Sequence, residues 1–172
     1  LIVDFSAITD STDIVNLTNS AASTLTSFTI TGGAGVDSLP GSNAADTIDG
    51  GGGNDTIDAA SGNDIVTGGA GNDILTGGAG NDIVTGGAGN DALTMEAGTD
   101  NYDAGAGNDT IAVTTQLTSA DTLAGGAGTD TLTINAATID ADFTNVTGIE
   151  KLTMNDTGTY TLGALAQAAG IT

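Results

Sequence analysis

The chain has 172 residues, of which 22 are acidic and one, Lys151, is basic, so its formal net charge is −21. It has no cysteine and no histidine, which excludes disulfide bonds, thiolate and imidazole metal sites, and Ser–His or Cys–His nucleophile systems. The charge also argues against nucleic acid and anionic lipid as partners, because both are bound through Lys and Arg.

Residues 1–31 are predicted to form a strand-rich N-terminal flank. The segments LIVDFSAIT, DIVNLTN and STLTSFTIT are rich in Thr, Ser, Ile and Val and show short alternations, a pattern typical of strands joined by polar turns. We expect this flank to continue the neighbouring repeat structure as a cap, which would protect an otherwise open strand edge.

A nine-residue repeat extends over residues 32–133. An aspartate recurs every nine residues from Asp37 to Asp109, and two more units follow a three-residue insertion at 113–115. A large apolar residue lies two places after each aspartate, and a glycine-rich turn precedes most of them. A fixed period of this kind marks a repeat architecture. The repeat aspartates are Asp37, Asp46, Asp55, Asp64, Asp73, Asp82, Asp91, Asp100, Asp109, Asp121 and Asp130.

Each unit is long enough for a six-residue turn and a three-residue strand. Glycine at the first, second and fourth places of the turn allows backbone angles that side chains forbid. Asparagine often occupies the fifth place, as at Asn54 and Asn72, and it is the non-glycine residue most tolerant of left-handed conformations. The middle strand residue is aliphatic and points inward. Two units would close one coil, with coils about 4.8 Å apart, which predicts an all-β parallel β-roll, a form of β-solenoid.

Residues 134–172 are predicted to form a strand-rich C-terminal cap that ends in a short helix. The segments VTGIEKLTMN and TYTLG read as strands, and ALAQAAG favours a helix that ends at Gly170. Asp156-Thr157-Gly158 spells the D-T-G of aspartic proteases. Those enzymes need two facing aspartates, no second D-T-G exists here, and we therefore expect no catalytic residue and no enzyme.

The apolar core of the repeat region is small, and a bound cation is expected to supply the stabilisation that it lacks. Each unit offers one large apolar side chain, whereas ordering its glycines is entropically expensive. In coils of two units the aspartates form two columns of like charges, which repel unless cations lie between them. Calcium prefers six to eight oxygen ligands, including carboxylates and backbone carbonyls. The sequence therefore predicts multiple Ca²⁺ ions, clamped between successive turns.

The predicted columns run along opposite edges of the roll. The first column contains Asp37, Asp55, Asp73, Asp91 and Asp109, and the second contains Asp46, Asp64, Asp82 and Asp100. The candidate metal ligands are the repeat aspartates together with the first and fourth turn glycines of the most regular units. These glycines are Gly32, Gly35, Gly50, Gly53, Gly68, Gly71, Gly77, Gly80, Gly86, Gly89, Gly125 and Gly128.

The units read G-G-x-G-x-D-x-U-x, where U is a large apolar residue, and this pattern resembles the calcium-binding repeat of RTX proteins. Six turns match strictly, and five are degraded but keep the aspartate. The resemblance implies a protein that is exported unfolded by type I secretion and folds on meeting calcium. The segment G-I-E-K-L resembles linkers between RTX blocks in bacterial surface-layer proteins and large RTX adhesins. The degraded turns begin at Gly41, Ala59, Met95, Ala104 and Gln116.

The two columns are not expected to bind calcium equally. Four of the five turns in the first column are strict, whereas only the turn that begins at Gly77 is strict in the second. We therefore expect tighter binding along the first column. Greater or equal ion occupancy along the second column, in an anomalous-scattering map, would contradict this expectation.

Three isoleucines occupy a strand position where most other units have a small or polar residue. Strand alternation places them on the outer faces, with Ile65 and Ile83 stacked on one face and Ile74 on the other. Isolated surface apolar residues need no explanation, but a contiguous pair can also be a contact with a neighbouring subunit or domain.

These features favour an extracellular calcium-binding structural protein of a bacterial surface layer or matrix. Alternatives are the RTX region of a type I-secreted hydrolase and an adhesin that binds a cell-surface glycan or receptor. The expected partners are further copies of the chain or neighbouring domains of a longer polypeptide, because the chain starts at Leu1 and shows no obvious terminal export tail. We expect a secreted protein at the bacterial cell surface, without a membrane span, since no run of 18 apolar residues is present.

Overall fold

The computed structural model describes residues 2–4, 27–115, 117–135 and 143–155. Within these residues it contains fifteen β-strands and no helix. The strands are β1 (Ile2–Asp4), β2 (Thr29–Thr31), β3 (Ser38–Pro40), β4 (Thr47–Gly52), β5 (Thr56–Asp58), β6 (Ile65–Ala70), β7 (Ile74–Thr76), β8 (Ile83–Ala88), β9 (Ala92–Met95), β10 (Asn101–Ala106), β11 (Thr110–Val113), β12 (Thr122–Ala124), β13 (Thr131–Ile134), β14 (Val146–Thr147) and β15 (Lys151–Met154).

Successive strands of the repeat region go alternately to two parallel sheets. One sheet has the order β1-β2-β4-β6-β8-β10-β12-β14, and the other has the order β15-β13-β11-β9-β7-β5-β3. The chain therefore winds as a β-solenoid of about seven turns, with two nine-residue units in each coil. This arrangement confirms the predicted parallel β-roll.

The flanks contribute strands to the same two sheets. Ile2 pairs with Thr29 where β1 joins the first sheet, and β14 and β15 extend the two sheets beyond the repeats. The cap role of the flanks remains a prediction. The helix predicted over 164–170 lies outside the described residues.

The register places at least one apolar residue of each strand from β2 to β13 inside the roll. Ile48 pairs with Val66 in one sheet, and Ile57 pairs with Leu75 in the other. In each of these strands, the residues on both sides of the inward residue are exposed or partly exposed. The three-residue insertion leaves this register intact, because Tyr102 pairs with Leu123 and Ile111 with Leu132. The insertion is therefore absorbed between β11 and β12 and lengthens a single coil.

The core thickens towards the C-terminal end of the roll. From β9 onward the second sheet carries a further inward residue, and Met95, Val113, Ile134 and Met154 follow one another in register. The first three are buried, and Met154 packs against them. Met95 occupies the position at which a regular repeat turn begins with glycine. In this degraded turn, an apolar side chain that packs in the core therefore replaces the turn glycine.

Tyr102 is the one aromatic residue in the inward rows of the repeat region, and its hydroxyl group takes part in the backbone hydrogen bonding between two coils. In preceding coils the turn's first N–H donates directly to the next coil, as Ala59 does to the Thr76 carbonyl at 3.0 Å. Gly77 N–H donates instead to the Tyr102 hydroxyl at 3.2 Å, and this hydroxyl donates to the Thr94 carbonyl at 2.9 Å. The phenol thus bridges two backbone groups. Burial, followed by the nearby charges of Asp100 and Asp82, raises the pKa of Tyr102, so the phenol remains a donor.

Candidate metal centre

The repeat aspartates lie at the ends of the six-residue turns and form two continuous ladders. From Asp55 onward, one carboxylate oxygen of each repeat aspartate accepts the backbone N–H of the aspartate one coil earlier, as Asp73 Oδ1 does from Asp55 at 2.8 Å. Asp46 Oδ1 accepts the Phe28 N–H at 2.6 Å instead. All eleven are buried, none more than 4% exposed. Asp130 continues the first column after Asp109, and Asp121 continues the second after Asp100. The predicted columns are therefore present, and they cross the insertion without a break.

The second oxygen of most of these carboxylates has no hydrogen-bond partner although it is buried. A buried charge without partners is strongly unfavourable, so these oxygens point to a cation as their ligand. They are divided unequally between the columns, with five in the first column and two in the second. The unpartnered atoms are the Oδ2 atoms of Asp55, Asp73, Asp91, Asp109, Asp130, Asp64 and Asp82.

The first glycine of four first-column turns, Gly50, Gly68, Gly86 and Gly125, leaves an opening beside the unpartnered oxygen. A Cβ atom added at Gly68 would lie 2.5 Å from Asp73 Oδ2 and 2.7 Å from the Gly86 carbonyl oxygen in the next coil. Gly50 and Gly86 have equivalent surroundings, one coil earlier and one coil later. Carboxylate and carbonyl oxygens of successive coils therefore converge on a space that a side chain would fill.

The donor set of these openings fits calcium. Nowhere in the described part of the chain do three or more carboxylates gather into a metal-binding cluster, so an ion between the coils needs backbone carbonyls beside its carboxylates. Calcium accepts such mixed oxygen sets in flexible geometry, whereas magnesium demands a smaller octahedron and keeps its water. The predicted first-place glycines, such as Gly32 and Gly125, are the residues that keep this space open.

The fourth-place glycines are required by the turn itself, and their predicted role as metal ligands stays a prediction. Gly53 has a φ of 112°, and an added Cβ would collide with the Gly35 carbonyl oxygen. Asparagine at the fifth place does not share this conformation, so that expectation was wrong: Ala60 is the single non-glycine residue with positive φ among the described residues. Asparagine instead forms an exposed ladder, in which Asn54 Oδ1 accepts Asn72 N–H at 2.8 Å. Side-chain hydrogen bonding, and not backbone tolerance, explains its recurrence.

Two turns at the ends of the second column satisfy their own aspartate. Ser42 donates its hydroxyl to Asp46 Oδ2 at 2.9 Å and its N–H to the same atom at 2.6 Å. Thr118 donates to Asp121 Oδ2 at 3.0 Å from its hydroxyl and at 2.8 Å from its N–H. A Ser or Thr three or four residues before the aspartate, in a turn that has lost most or all of its glycines, was the available sequence signal. These hydroxyl groups give a physical reason to expect weaker calcium binding there, and the unequal binding of the two columns stays a prediction.

Burial governs the electrostatics of both columns. Desolvation raises the pKa of Asp55, Asp64, Asp100 and Asp109 to about 6, against the opposing effect of the backbone N–H that each accepts. Neighbouring aspartates of the same column raise these values further. The pKa values of Asp73, Asp82 and Asp91 are also raised by burial. Without a cation, the fold therefore shifts these carboxyl groups towards protonation.

Acidification is expected to stabilise the metal-free fold. The pKa of Asp55 in that fold, about 6, exceeds its ordinary value of 3.8, so protonation stabilises the fold, and this stabilisation is lost as pH rises through 6. Aspartates of the unfolded chain are already ionised at pH 5.5, so calcium displaces protons only from a fold that has already formed. We expect the free calcium concentration at the folding midpoint to be no higher at pH 5.5 than at pH 7.5. Circular dichroism at constant ionic strength, with free calcium measured by electrode, checks this. A midpoint several-fold higher at pH 5.5 would contradict it.

Comparison with known proteins agrees with this geometry. The family model of the RTX calcium-binding nonapeptide repeat matches four times, at residues 31–66, 58–93, 96–111 and 118–133, which together make up more than half of the chain. No curated protein and no solved structure matched the chain. Among the described residues, no helix has the length and apolar character that a membrane crossing requires. On the family match and the parallel roll, the chain belongs to the RTX calcium-binding nonapeptide repeat family.

Proposed function

We propose that this calcium-binding repeat protein is an extracellular, non-enzymatic structural module that folds on calcium binding and then assembles laterally in a bacterial surface layer or matrix. The observation that supports this proposal best is the set of seven buried, unpartnered carboxylate oxygens. Buried carboxylates without partners make the fold depend on a cation.

The aspartates and turn glycines of each coil contact the neighbouring coils. The Oδ1 atom of Asp73 holds the backbone of the preceding coil through Asp55 N–H, and its Oδ2 atom faces the opening at Gly68 beside the Gly86 carbonyl. Bound calcium supplies the positive charge that offsets repulsion along the column. Because each opening is built from two successive coils, single coils should not fold independently.

A dependence on calcium favours an extracellular location. Calcium sites of extracellular modules are weak, with dissociation constants on the order of 10⁻⁴–10⁻³ M, so the low calcium of the cytosol would leave them unfilled. Export in the unfolded state by type I secretion, followed by folding outside the cell, is part of this proposal.

The outer face of the first sheet supplies a candidate contact for lateral assembly. Ile65 and Ile83 pair in register on β6 and β8, and they are 47% and 46% exposed. Ile74 is 54% exposed on the other sheet, which confirms the predicted placement of all three. Val36 is also exposed. We propose that the Ile65–Ile83 pair contacts a second copy of the chain.

The double substitution Ile65→Thr and Ile83→Thr is expected to weaken calcium-dependent assembly while leaving the monomer folded. Threonine keeps the β-branched shape that strands favour but removes apolar surface from the contact. Sedimentation and electron microscopy in calcium and in EDTA measure assembly, and circular dichroism checks folding.

Ile74→Thr is the matched control for that experiment, because it makes the same change on the opposite sheet. If the double variant assembles like the unmodified chain, the proposed contact is wrong. If the unmodified chain forms no ordered lattice or filament in calcium, the surface-layer and matrix proposal itself is wrong.

A further inference from the structure

The first column of carboxylates does not end with the last repeat. Thr131 pairs with Lys151 in the parallel register of β13 and β15, so the residue opposite Asp130 in the next coil is Glu150. Asp130 N–H donates to Glu150 Oε2 at 2.8 Å, which repeats the bond from Asp109 N–H to Asp130 Oδ1. Glu150 therefore occupies the next position of the ladder, beyond residue 133, where the family match ends.

Gly148 likewise occupies the place of a first turn glycine. Ala124 pairs with Thr147, so Gly148 follows β14 as Gly125 follows β12. A Cβ atom at Gly125 would lie 2.8 Å from Asp130 Oδ2 and would collide with the Gly148 carbonyl oxygen. The opening at Gly125 therefore has the same two neighbours as the opening at Gly68, a carboxylate of its own coil and a carbonyl of the next.

The turn that provides these groups is a shortened one. Between the paired strands, the residues from Gly125 to Asp130 correspond to Gly148, Ile149 and Glu150 alone. The shortened turn keeps the first carbonyl and the terminal carboxylate, while Ile149 is fully buried. Glutamate has one more methylene group than aspartate, so it suits a carboxylate that must reach the column from a shorter turn.

One oxygen at this position has no partner. Asp130 is fully buried, and its Oδ2 atom has no hydrogen bond. Glu150 is exposed, so water can reach its carboxylate. Calcium accepts water among its oxygen ligands, which suits a site whose turn has lost its middle carbonyls.

We propose that Asp130, Gly148 and Glu150 form a further calcium site at the end of the first column. The Asp130 carboxylate holds the ion from its own coil, the Gly148 carbonyl and the Glu150 carboxylate hold it from the next coil, and water completes its coordination. This inference rests on the proposed function, because it assumes that the column binds calcium. It assigns the G-I-E segment a metal-binding role in place of a mere linker.

The number of bound ions tests this site. Glu150→Gln keeps a carbonyl oxygen that can accept Asp130 N–H, but it removes the charge that calcium requires. Equilibrium dialysis at saturating free calcium, followed by metal analysis, is expected to find one ion fewer per chain in this variant. Asp103→Asn, on the exposed outer face of β10, makes the same change of charge away from both columns and should leave the number unchanged.

The outcomes separate this inference from the proposed function. An unchanged number of ions in a folded Glu150→Gln variant would overturn the inference and identify Glu150 as a hydrogen-bonding cap only. If that variant does not fold in calcium, an anomalous-scattering map of the unmodified chain decides, since a peak between Asp130 and Glu150 supports the site and its absence refutes it. An unmodified chain that binds no calcium would instead overturn the proposed function.

Discussion

Removal of calcium with excess EDTA is expected to abolish most of the strand structure of this protein. In the metal-free roll, eleven aspartates are buried in two columns, and seven of their oxygens have no partner. The inward row supplies one apolar residue per unit, as in the burial pattern of β5 and β7. This core is too sparse to offset the desolvation and repulsion of so many carboxylates as well as the entropy of ordering glycine-rich turns.

Refolding on addition of calcium is expected to be cooperative and to occur at millimolar concentration. The openings join neighbouring coils, so the filling of one favours the next. Circular dichroism during a calcium titration measures the transition, and an equal concentration of magnesium is the control, because magnesium suits these flexible oxygen sets poorly. A chain that keeps its strand content after exhaustive dialysis against EDTA would contradict the prediction and the calcium-dependent fold with it.

Asp73→Ala is expected to impair calcium-induced folding more than Asp130→Ala. Both variants remove one buried carboxylate from the first column, and each leaves one buried N–H without its acceptor, on Asp55 and on Asp109 respectively. An unsatisfied buried N–H costs about 1–3 kcal/mol, and this loss is common to both. Any difference between the calcium concentrations at the two folding midpoints therefore reflects the position of each aspartate in the column. Asp73 lies in the middle of the column and faces ladder aspartates in both neighbouring coils, whereas Asp130 is the last repeat aspartate and only Glu150 follows it in the ladder.

The expected result is a rise of at least several-fold, by the coupling between neighbouring coils, in the calcium concentration at the folding midpoint for Asp73→Ala, with a smaller rise for Asp130→Ala. Circular dichroism titrations measure both midpoints. Asp73→Asn is a useful companion, since asparagine can still accept the Asp55 N–H and so separates the loss of charge from the loss of the hydrogen bond. Equal midpoints for Asp73→Ala and Asp130→Ala would contradict cooperative binding along the column.

Regular spacing made the greater part of this structure predictable. A period of nine residues with an apolar residue two places after each aspartate allows one inward face, so the pairing of Ile48 with Val66 and the two aspartate columns follow from the sequence. The exposed positions of Ile65, Ile74 and Ile83 follow for the same reason. Each of these features depends on alternation within a strand and on the coil length alone.

Departures from the period were not predictable in the same way. The hydroxyl groups of Ser42 and Thr118, the bridging phenol of Tyr102 and the ladder position of Glu150 all depend on contacts between residues that the repeat does not relate. The role of asparagine was predicted wrongly because backbone tolerance and side-chain hydrogen bonding both favour it in turns. To choose between these two explanations, one must know how far the asparagine side chain lies from the backbone N–H of the next coil.

The amino-acid sequence by itself determined the coil, its inward row and the acidic columns that call for calcium, because these are properties of a repeat and need no knowledge of distant contacts. Tertiary structure alone decided which carboxylate oxygens lack a partner and which are satisfied by a neighbouring hydroxyl group. It also decided that the first column extends to Glu150, since the alignment of that residue with Asp130 arises from the pairing of β13 with β15 across a shortened turn.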